Sequence, residues 1–143
     1  MLGDINGSIR QWVNLFLNDK EYPEDMFVTH EQARKIVDHD TVVVVVDTNR
    51  PSMTECSEIL NQTRTIVVLD HHRQSSEVIK NAVLSYIEPY ASSACEMIAE
   101  ILQYFADDIR LKGKEADCIY AGIIIDTNNF MAKTGVRFPY RLF

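Results

Sequence analysis

Hydrophobic residues recur along this chain with two alternating periods, one typical of helices and one typical of strands. The predicted helices begin near four residues: Ser8, Thr29, Ser93 and Lys114. The predicted strands cover three segments: Thr41–Val46, Arg64–Leu69 and Leu84–Ile87. A short helical segment, Pro51–Leu60, connects the first two strands. Strands that alternate with helices in this way predict an α/β fold.

The first two strands carry runs of apolar residues on both faces, without alternation. Strands of this kind lie in the middle of parallel sheets, where helices cover both faces. We therefore expect a mostly parallel sheet with helices on both faces. The helices are expected to bury apolar stripes, with Ala33, Ile36 and Val37 on the second helix and Ala116, Ile119, Tyr120 and Ile123 on the last. Two helix starts have the residues of a capping box, Thr29 with Gln32 and Ser93 with Glu96.

Composition and charge narrow the class of protein. The chain has 143 residues, 46% of them hydrophobic, which suits one globular domain. Its net charge of −7 argues against binding of large nucleic acids, because such binding needs clustered Lys and Arg. A small, local phosphate-binding site remains compatible with this charge. The sequence shows neither a secretory signal nor the ~20-residue apolar run of a membrane span, so we expect a cytoplasmic location. The three cysteines lack metal-binding spacing, and Cys95 and Cys118 are expected in the core.

Candidate chemistry follows the ends of the predicted strands. Asp47 comes directly after the valine run, and Asp70, His71 and His72 follow the second strand. Because ligands of open parallel sheets bind beyond the carboxyl ends of the strands, we expect these side chains to meet at one edge. Asp126 ends the last helix, where a carboxylate is unfavourable unless a cation compensates it. Carboxylates and imidazoles together predict a site for a divalent transition metal such as Mn²⁺.

The order of these motifs resembles that of a known family. The segments Val-Val-Asp47-Thr-Asn, Asp70-His71-His72 and Ala-Gly-Ile-Ile-Ile-Asp126-Thr resemble motifs two to four of the DHH phosphoesterases. Within the family, the chain particularly resembles the DHH domain of the cyclic-di-AMP phosphodiesterases. Further matching text is Asp47-Thr-Asn-Arg-Pro51, Asp70-His-His-Arg73, Glu88-Pro-Tyr-Ala-Ser-Ser93 and Lys133-Thr-Gly-Val-Arg137. The resemblance covers roughly residues 2–137 and implies a DHH phosphoesterase domain.

The resemblance implies roles for the strand-end residues. In this family two Mn²⁺ ions activate water for phosphodiester hydrolysis. By resemblance, Asp47 bridges the two ions, and His71 and Asp126 each bind one of them. His72 is then expected to contact the substrate phosphate or stabilise developing charge. Asp70 is expected to orient His71 through a contact with its ring, without binding the metal itself.

Further residues are candidates for substrate binding. Arg73 follows the triplet directly and either contacts phosphate or is an ordinary surface arginine. Ser92 and Ser93 open a helix, where free N–H groups favour an anion, although a plain capping role for Ser93 is the alternative. Asn49 and Asn128 lie near the expected metals in the sequence, with no more specific role assigned.

Two departures from the family pattern matter. The first motif, His-x-x-x-Asp-x-Asp, is absent, and His30 and His39 do not fit it and are expected to be solvated. We therefore interpret residues 1–137 as a partial DHH domain without its first strand and first metal motif. Residues 138–143 are interpreted as a divergent tail, and the family's DHHA1 domain is absent, so the chain is expected to be truncated at both ends. One Mn²⁺ ion or none is expected here.

These expectations combine into one leading function and two alternatives. The leading hypothesis is a fragment of a Mn²⁺-dependent cyclic-di-AMP phosphodiesterase that is inactive alone. The alternatives are a DHH oligoribonuclease or other phosphoesterase, and a non-catalytic remnant that binds a nucleotide or a partner. The expected partner is a cyclic dinucleotide or short nucleotide, with no membrane contact in this chain although the parent protein is membrane-anchored. Uncovered sheet edges also predict a homo-oligomer.

Overall fold

The computed structural model describes residues 7–107 and 109–132. Four α-helices lie in these ranges: α1 (Gly7–Leu17), α2 (His30–Ile36), α3 (Ala94–Phe105) and α4 (Gly113–Asp126). The three strands are β1 (Val42–Val46), β2 (Thr65–Asp70) and β3 (Leu84–Ile87). Two short 3₁₀ turns, Pro51–Met53 and Ser57–Asn61, stand where the helical segment between the first strands is predicted. The sequence motif at 133–137 and the tail at 138–143 lie outside the described residues.

The strands form a parallel sheet in the order β1-β2-β3, as the sequence pattern predicts. Val45 of β1 is in register with Val68 of β2, and Val68 is in register with Ser85 of β3. Parallel pairing requires long crossover connections, and the 3₁₀ turns supply the first of them. The α/β fold class is thus confirmed, with all three carboxyl ends at one edge of the sheet.

The prediction that β1 is buried on both faces is wrong. Among the described strands, β1 pairs with β2 alone and forms one edge of the sheet. Its alternate residues Val42, Val44 and Val46 are 60%, 52% and 42% exposed. The helix α3 packs against β2, the central strand, so this face of β1 stays open. A valine run indicates a strand, but the number of neighbouring elements decides how many of its faces are covered.

The core lies on the opposite face of the sheet. Ile66 and Val68 of β2 are almost fully buried there, together with Val45, Leu60 and Ile79. A second cluster of Ala33, Cys56 and Ile59 joins α2 to the 3₁₀ turns. Segments that precede and follow β2 in the sequence therefore pack over one face of the sheet. This packing fixes the position of the loops that follow β1 and β2.

The helix starts largely follow the sequence. Thr29 forms the predicted capping box, because its hydroxyl accepts from the Gln32 N–H at 3.2 Å and its own N–H donates to Gln32 Oε1 at 2.8 Å. Ser93 caps α3, but the Glu96 carboxylate accepts from the N–H of Ser92 rather than of Ser93. The first helix begins at Gly7, one residue before the predicted cap.

Two predicted apolar stripes are only partly buried. Ile36 is 63% exposed because it is the last residue of α2, where the chain leaves the core. Tyr120 is 45% exposed, and the other members of the predicted α4 stripe are half-buried. The described helices are too short or too polar to cross a membrane.

Helices α3 and α4 approach each other closely at Gly122. A Cβ atom at this position would lie 2.2 Å from the Sγ atom of Cys95, so only glycine fits without movement. Cys95 and Cys118 are half-buried between the helices rather than enclosed in the core. This close contact brings Asp126, four residues beyond Gly122 on α4, towards the carboxyl edge of the sheet.

Candidate metal centre

Asp47 occupies a turn directly after β1. Its φ angle of 67° lies in the left-handed region, which costs a non-glycine residue roughly 1 kcal/mol. The Asp47 N–H still donates to the Leu69 carbonyl at 3.0 Å, so the chain leaves the sheet only after this residue. The side chain is 56% exposed, and its Oδ1 atom lies 3.2 Å from Nε2 of His71. Strained backbone at a sequence-predicted ligand is typical of a functional position.

His71 stands at the centre of the cluster. Its side chain is 2% exposed, and its Nε2 atom lies 3.2 Å from Asp47 and 3.8 Å from Oδ2 of Asp126. Within the described residues, neither ring nitrogen has a hydrogen-bond partner of good geometry. A buried imidazole without partners is costly, and a cation between it and the two carboxylates would remove much of that cost.

Asp70 contacts His72, whereas the family resemblance predicts that it orients His71. Its Oδ1 atom accepts from the His72 N–H at 3.1 Å and lies 2.7 Å from Nδ1 of the same residue. This local turn brings the His72 ring against the carboxylate, and the ring centroids of His71 and His72 lie 4.3 Å apart. The other oxygen, Oδ2, accepts from Nδ2 of Asn49 at 2.5 Å. Asp70 is completely buried, with both of its oxygens engaged.

The electrostatics of the cluster favour a bound cation. Burial raises the pKa of Asp47 above its usual value, and the nearby Asp126 carboxylate raises it further, while His71 and His72 oppose this rise. Burial also raises the pKa of the Cys95 thiol, again with Asp126 and Asp47 contributing. Two carboxylates that repel each other beside an unpartnered imidazole form the arrangement that a divalent cation stabilises.

One group of three candidate ligands lies close together, and Asp126 lies beside it. Asp47, His71 and His72 offer three atoms that lie within 4.8 Å of one another. The His72 atom that faces Asp47 is Nδ1, at 3.9 Å, and the same atom is already 2.7 Å from Asp70. Oδ2 of Asp126 lies 3.8 Å from Nε2 of His71, the same ring atom that faces Asp47, but Asp126 is not part of this group of three. Because Asp70 engages Nδ1 of His72, Asp126 is the alternative third ligand beside Asp47 and His71, and mixed oxygen and nitrogen ligands suit Mn²⁺ and similar ions.

The remaining sequence candidates lie in the loop after β2, at the start of α3 and after α4. Arg73 is exposed on the loop after β2. Ser92 and Ser93 are buried, where the Ser92 N–H donates to Glu96 and the Ser93 hydroxyl accepts from the Glu96 N–H. Asn128 follows α4 with a φ of 48° and is exposed.

The two other histidines lie away from the cluster. His39 is exposed and lies 3.2 Å from the Asp40 carboxylate. His30 is only half-buried rather than fully solvated, with its Nε2 atom 3.4 Å from Glu55. The sequence places Asn49 two residues after Asp47, which indicates a position near the site but no specific role. The structure gives Asn49 direct contact with Asp70.

Fold and site together define a class, an α/β domain with a cluster of candidate metal ligands at the carboxyl edge of its sheet. Residues 5–123 match the sequence model described as DHH family, N-terminal domain. The chain belongs to the DHH family.

Similar proteins agree with this assignment. The cyclic-di-AMP phosphodiesterase GdpP of Bacillus subtilis is 42% identical over 120 residues, which are 82% of this chain and 18% of that protein. The cyclic-di-AMP phosphodiesterase PdeA of Listeria monocytogenes is 40% identical over 134 residues, 92% of this chain and 20% of that protein. The chain thus spans about a fifth of the length of these relatives.

A solved structure shares the fold. An exopolyphosphatase-related protein from Bacteroides fragilis superimposes with a TM-score of 0.66 at 23% identity, over 85% of this chain and 36% of that one. At this identity the likeness concerns the fold alone.

Proposed function

We propose that this chain is part of a Mn²⁺-dependent phosphodiesterase that hydrolyses a phosphodiester bond of cyclic-di-AMP. The observation that carries the proposal is the convergence of Asp47, His71 and Asp126, in which a buried imidazole that makes no well-aligned hydrogen bond within the described residues faces two carboxylates. The identity to GdpP and PdeA supports the choice of a cyclic dinucleotide as substrate. The proposed setting is the cytoplasmic part of a membrane-anchored parent protein.

The residues present fit a divalent cation. Asp47, His71 and Asp126 would hold it, with the strained turn at residue 47 and the end of α4 presenting the two carboxylates. Such a cation lowers the pKa of bound water and neutralises charge on phosphoryl oxygens. The family's intact centre holds two ions, and we propose that the residues of this chain hold one.

His72 is the proposed catalytic residue that contacts the substrate phosphate. Its ring is half-exposed at the carboxyl edge, while Asp70 holds Nδ1 from the buried side at 2.7 Å. This arrangement leaves Nε2 as the ring atom for contact with a phosphate oxygen or a transferred proton. Arg73 is the proposed cation for a second phosphate contact.

Ser92 and Ser93 would line the site mainly through backbone. The Ser93 hydroxyl already caps α3, so any contact from this segment to the substrate comes from N–H groups near the helix start. We propose a supporting role for both serines in anion binding.

The chain alone is expected to have little activity, because it spans about a fifth of the length of its relatives. The test is Mn²⁺-dependent release of the linear dinucleotide from cyclic-di-AMP by this chain and by intact GdpP. We expect slow or absent release of the linear dinucleotide by the chain alone. In a longer, active protein that contains this chain, Asp47→Ala should abolish the release. Turnover equal to that of the intact enzyme would refute the fragment interpretation.

Two controls separate the alternatives. Faster cleavage of a short oligoribonucleotide than of cyclic-di-AMP by the longer protein would favour an oligoribonuclease. Binding of cyclic-di-AMP without cleavage of either substrate, with Mn²⁺ present, would favour the non-catalytic remnant.

A further inference from the structure

We infer that Asn49 is a positioning residue, which holds the Asp70 carboxylate so that Asp70 fixes the orientation and tautomer of His72. The inference rests on the proposed function only for the task of His72. The geometry that supports it involves three side chains: Asn49 from the loop after β1, Asp70 at the end of β2 and His72 from the loop after β2.

The contacts form one chain from Asn49 to His72. Asn49 is 3% exposed, and its Nδ2 atom donates to Oδ2 of Asp70 at 2.5 Å. The opposite oxygen of Asp70 lies 2.7 Å from Nδ1 of His72 and also accepts the His72 N–H. Nδ2 of Asn49 lies 3.4 Å from the His72 carbonyl as well. The Asn49 carboxamide therefore contacts both the carboxylate of Asp70 and the backbone carbonyl of His72.

The orientation of the Asn49 amide follows from chemistry. A carboxylate only accepts hydrogen bonds, so the group that faces Asp70 at 2.5 Å must be the NH₂ and not the oxygen. Among the described residues, the Asn49 oxygen is left buried without a partner. An orientation that leaves an acceptor unsatisfied indicates that the contact with Asp70 is the one the site depends on.

Asn49 is itself held by backbone. Its carbonyl accepts the Ile79 N–H at 3.0 Å, and Ile79 is a buried member of the core. The position of the amide is thus set by the packed face of the sheet and not by the solvent-exposed loop alone. Rigid support of this kind is what a group that orients another side chain requires.

The consequence is a fixed tautomer of His72. A carboxylate at 2.7 Å makes Nδ1 the protonated nitrogen of a neutral imidazole, and Nε2 then carries the lone pair on the exposed side. The same contact keeps Nδ1 from serving as a ligand in the Asp47–His71 cluster. Asn49 thereby separates the roles of two adjacent histidines, one that faces the carboxylate pair and one that faces outward.

The test is a long-range ¹H–¹⁵N spectrum of the histidine side chains in the metal-free chain at about pH 8, where free imidazoles are neutral. The signals of His72 are assigned with a His72→Gln variant. We expect wild-type His72 as the Nδ1–H tautomer. In Asn49→Ala the ratio of Nδ1–H to Nε2–H tautomer should fall roughly tenfold, because the carboxylate loses a charge-assisted hydrogen bond.

Two further variants keep the result interpretable. Asn49→Leu keeps the branched shape but removes the donor without adding charge, and it should shift the tautomer at least as far as Asn49→Ala. Asn81→Ala removes a similar carboxamide, which donates to the Leu60 carbonyl at 2.8 Å outside the site, and it should leave His72 unchanged. Wild-type His72 in the Nε2–H form, or folded Asn49 variants with the wild-type tautomer, would overturn the inference. Because neither metal nor substrate is present, this outcome is independent of the hydrolysis assay.

Discussion

Strands β1 and β2 are neighbours of nearly the same composition, yet one of their two faces is open in β1 and covered in β2. Both are runs of mainly β-branched residues with an aspartate at the carboxyl end. On this face Val46 of β1 is 42% exposed, whereas its register partner Leu69 of β2 is 8% exposed. The difference shows that position in the sheet, and not composition, decides how much each side chain contributes to the free energy of folding.

The two aspartates differ in the same sense. Asp70 is enclosed and accepts hydrogen bonds on both oxygens, so its surroundings commit it to holding His72. Asp47 is half-exposed, has a strained backbone and faces His71 together with Asp126. A central strand thus provides a positioning carboxylate, and an edge strand provides one that is free to bind a ligand.

The largest expected effect comes from the core of β2. Ile66→Ala should lower the free energy of unfolding by about 3 kcal/mol, because a fully buried side chain leaves a cavity. The matched truncation Val44→Ala on the exposed face of β1 should change it by less than about 0.5 kcal/mol. Urea unfolding of both variants measures the contrast. Equal losses would mean that the β1 face is covered in solution.

Each aspartate substitution should have a smaller effect than Ile66→Ala, and the two effects on the free energy of unfolding should have opposite signs. Asp70→Ala should destabilise the chain by about 2 kcal/mol, since the Asn49 amide and the His72 Nδ1–H lose their buried acceptor. Asp47→Gly should stabilise the metal-free chain by up to about 1 kcal/mol, because glycine adopts a φ of 67° without strain. Chemical denaturation with a chelator present compares the two. A destabilising Asp47→Gly would contradict the strained, uncommitted role of that residue.

A smaller effect is expected in the pH dependence. Burial and Asp126 raise the pKa of Asp47 in the folded state, so the folded chain binds its proton more tightly than the unfolded chain. The stabilisation from protonated Asp47 is therefore complete below its usual pKa and is lost as the pH rises through the raised value. Asp47→Asn should flatten this fall in the metal-free protein, as read from urea unfolding at a series of pH values. An unchanged pH profile in the variant would show that Asp47 is not perturbed.

The smallest effect concerns self-association through the open face of β1. Exposed valines at the edge of a sheet favour pairing with a second copy. Val44→Lys should reduce the average mass that light scattering measures at high protein concentration. Met53→Lys, on an exposed residue of a 3₁₀ turn, provides the control for added charge. A wild-type chain that is monomeric throughout would exclude this surface as an interface.

The sequence predicted most elements because each carries its own local signal. Thr29 with Gln32 marks a helix start, and the valine run marks a strand, whatever the rest of the fold does. Burial of β1 and of Ile36 could not be predicted, because it depends on which elements lie beside them in space. The convergence of Asp47, His71 and Asp126 follows from the strand ends and the last helix. The partner of Asp70 did not follow, since a local turn directs His72 and not His71 onto it.

The central claim is that Asp47, His71 and Asp126 form a cation centre at this edge of the sheet. The most direct measurement is a Mn²⁺ titration followed by electron paramagnetic resonance, with wild type, His71→Ala and the control His39→Ala. We predict that wild type and His39→Ala bind one ion, and that His71→Ala binds at least about tenfold more weakly. Equal binding by His71→Ala, or no binding by the folded wild-type chain, would contradict the account.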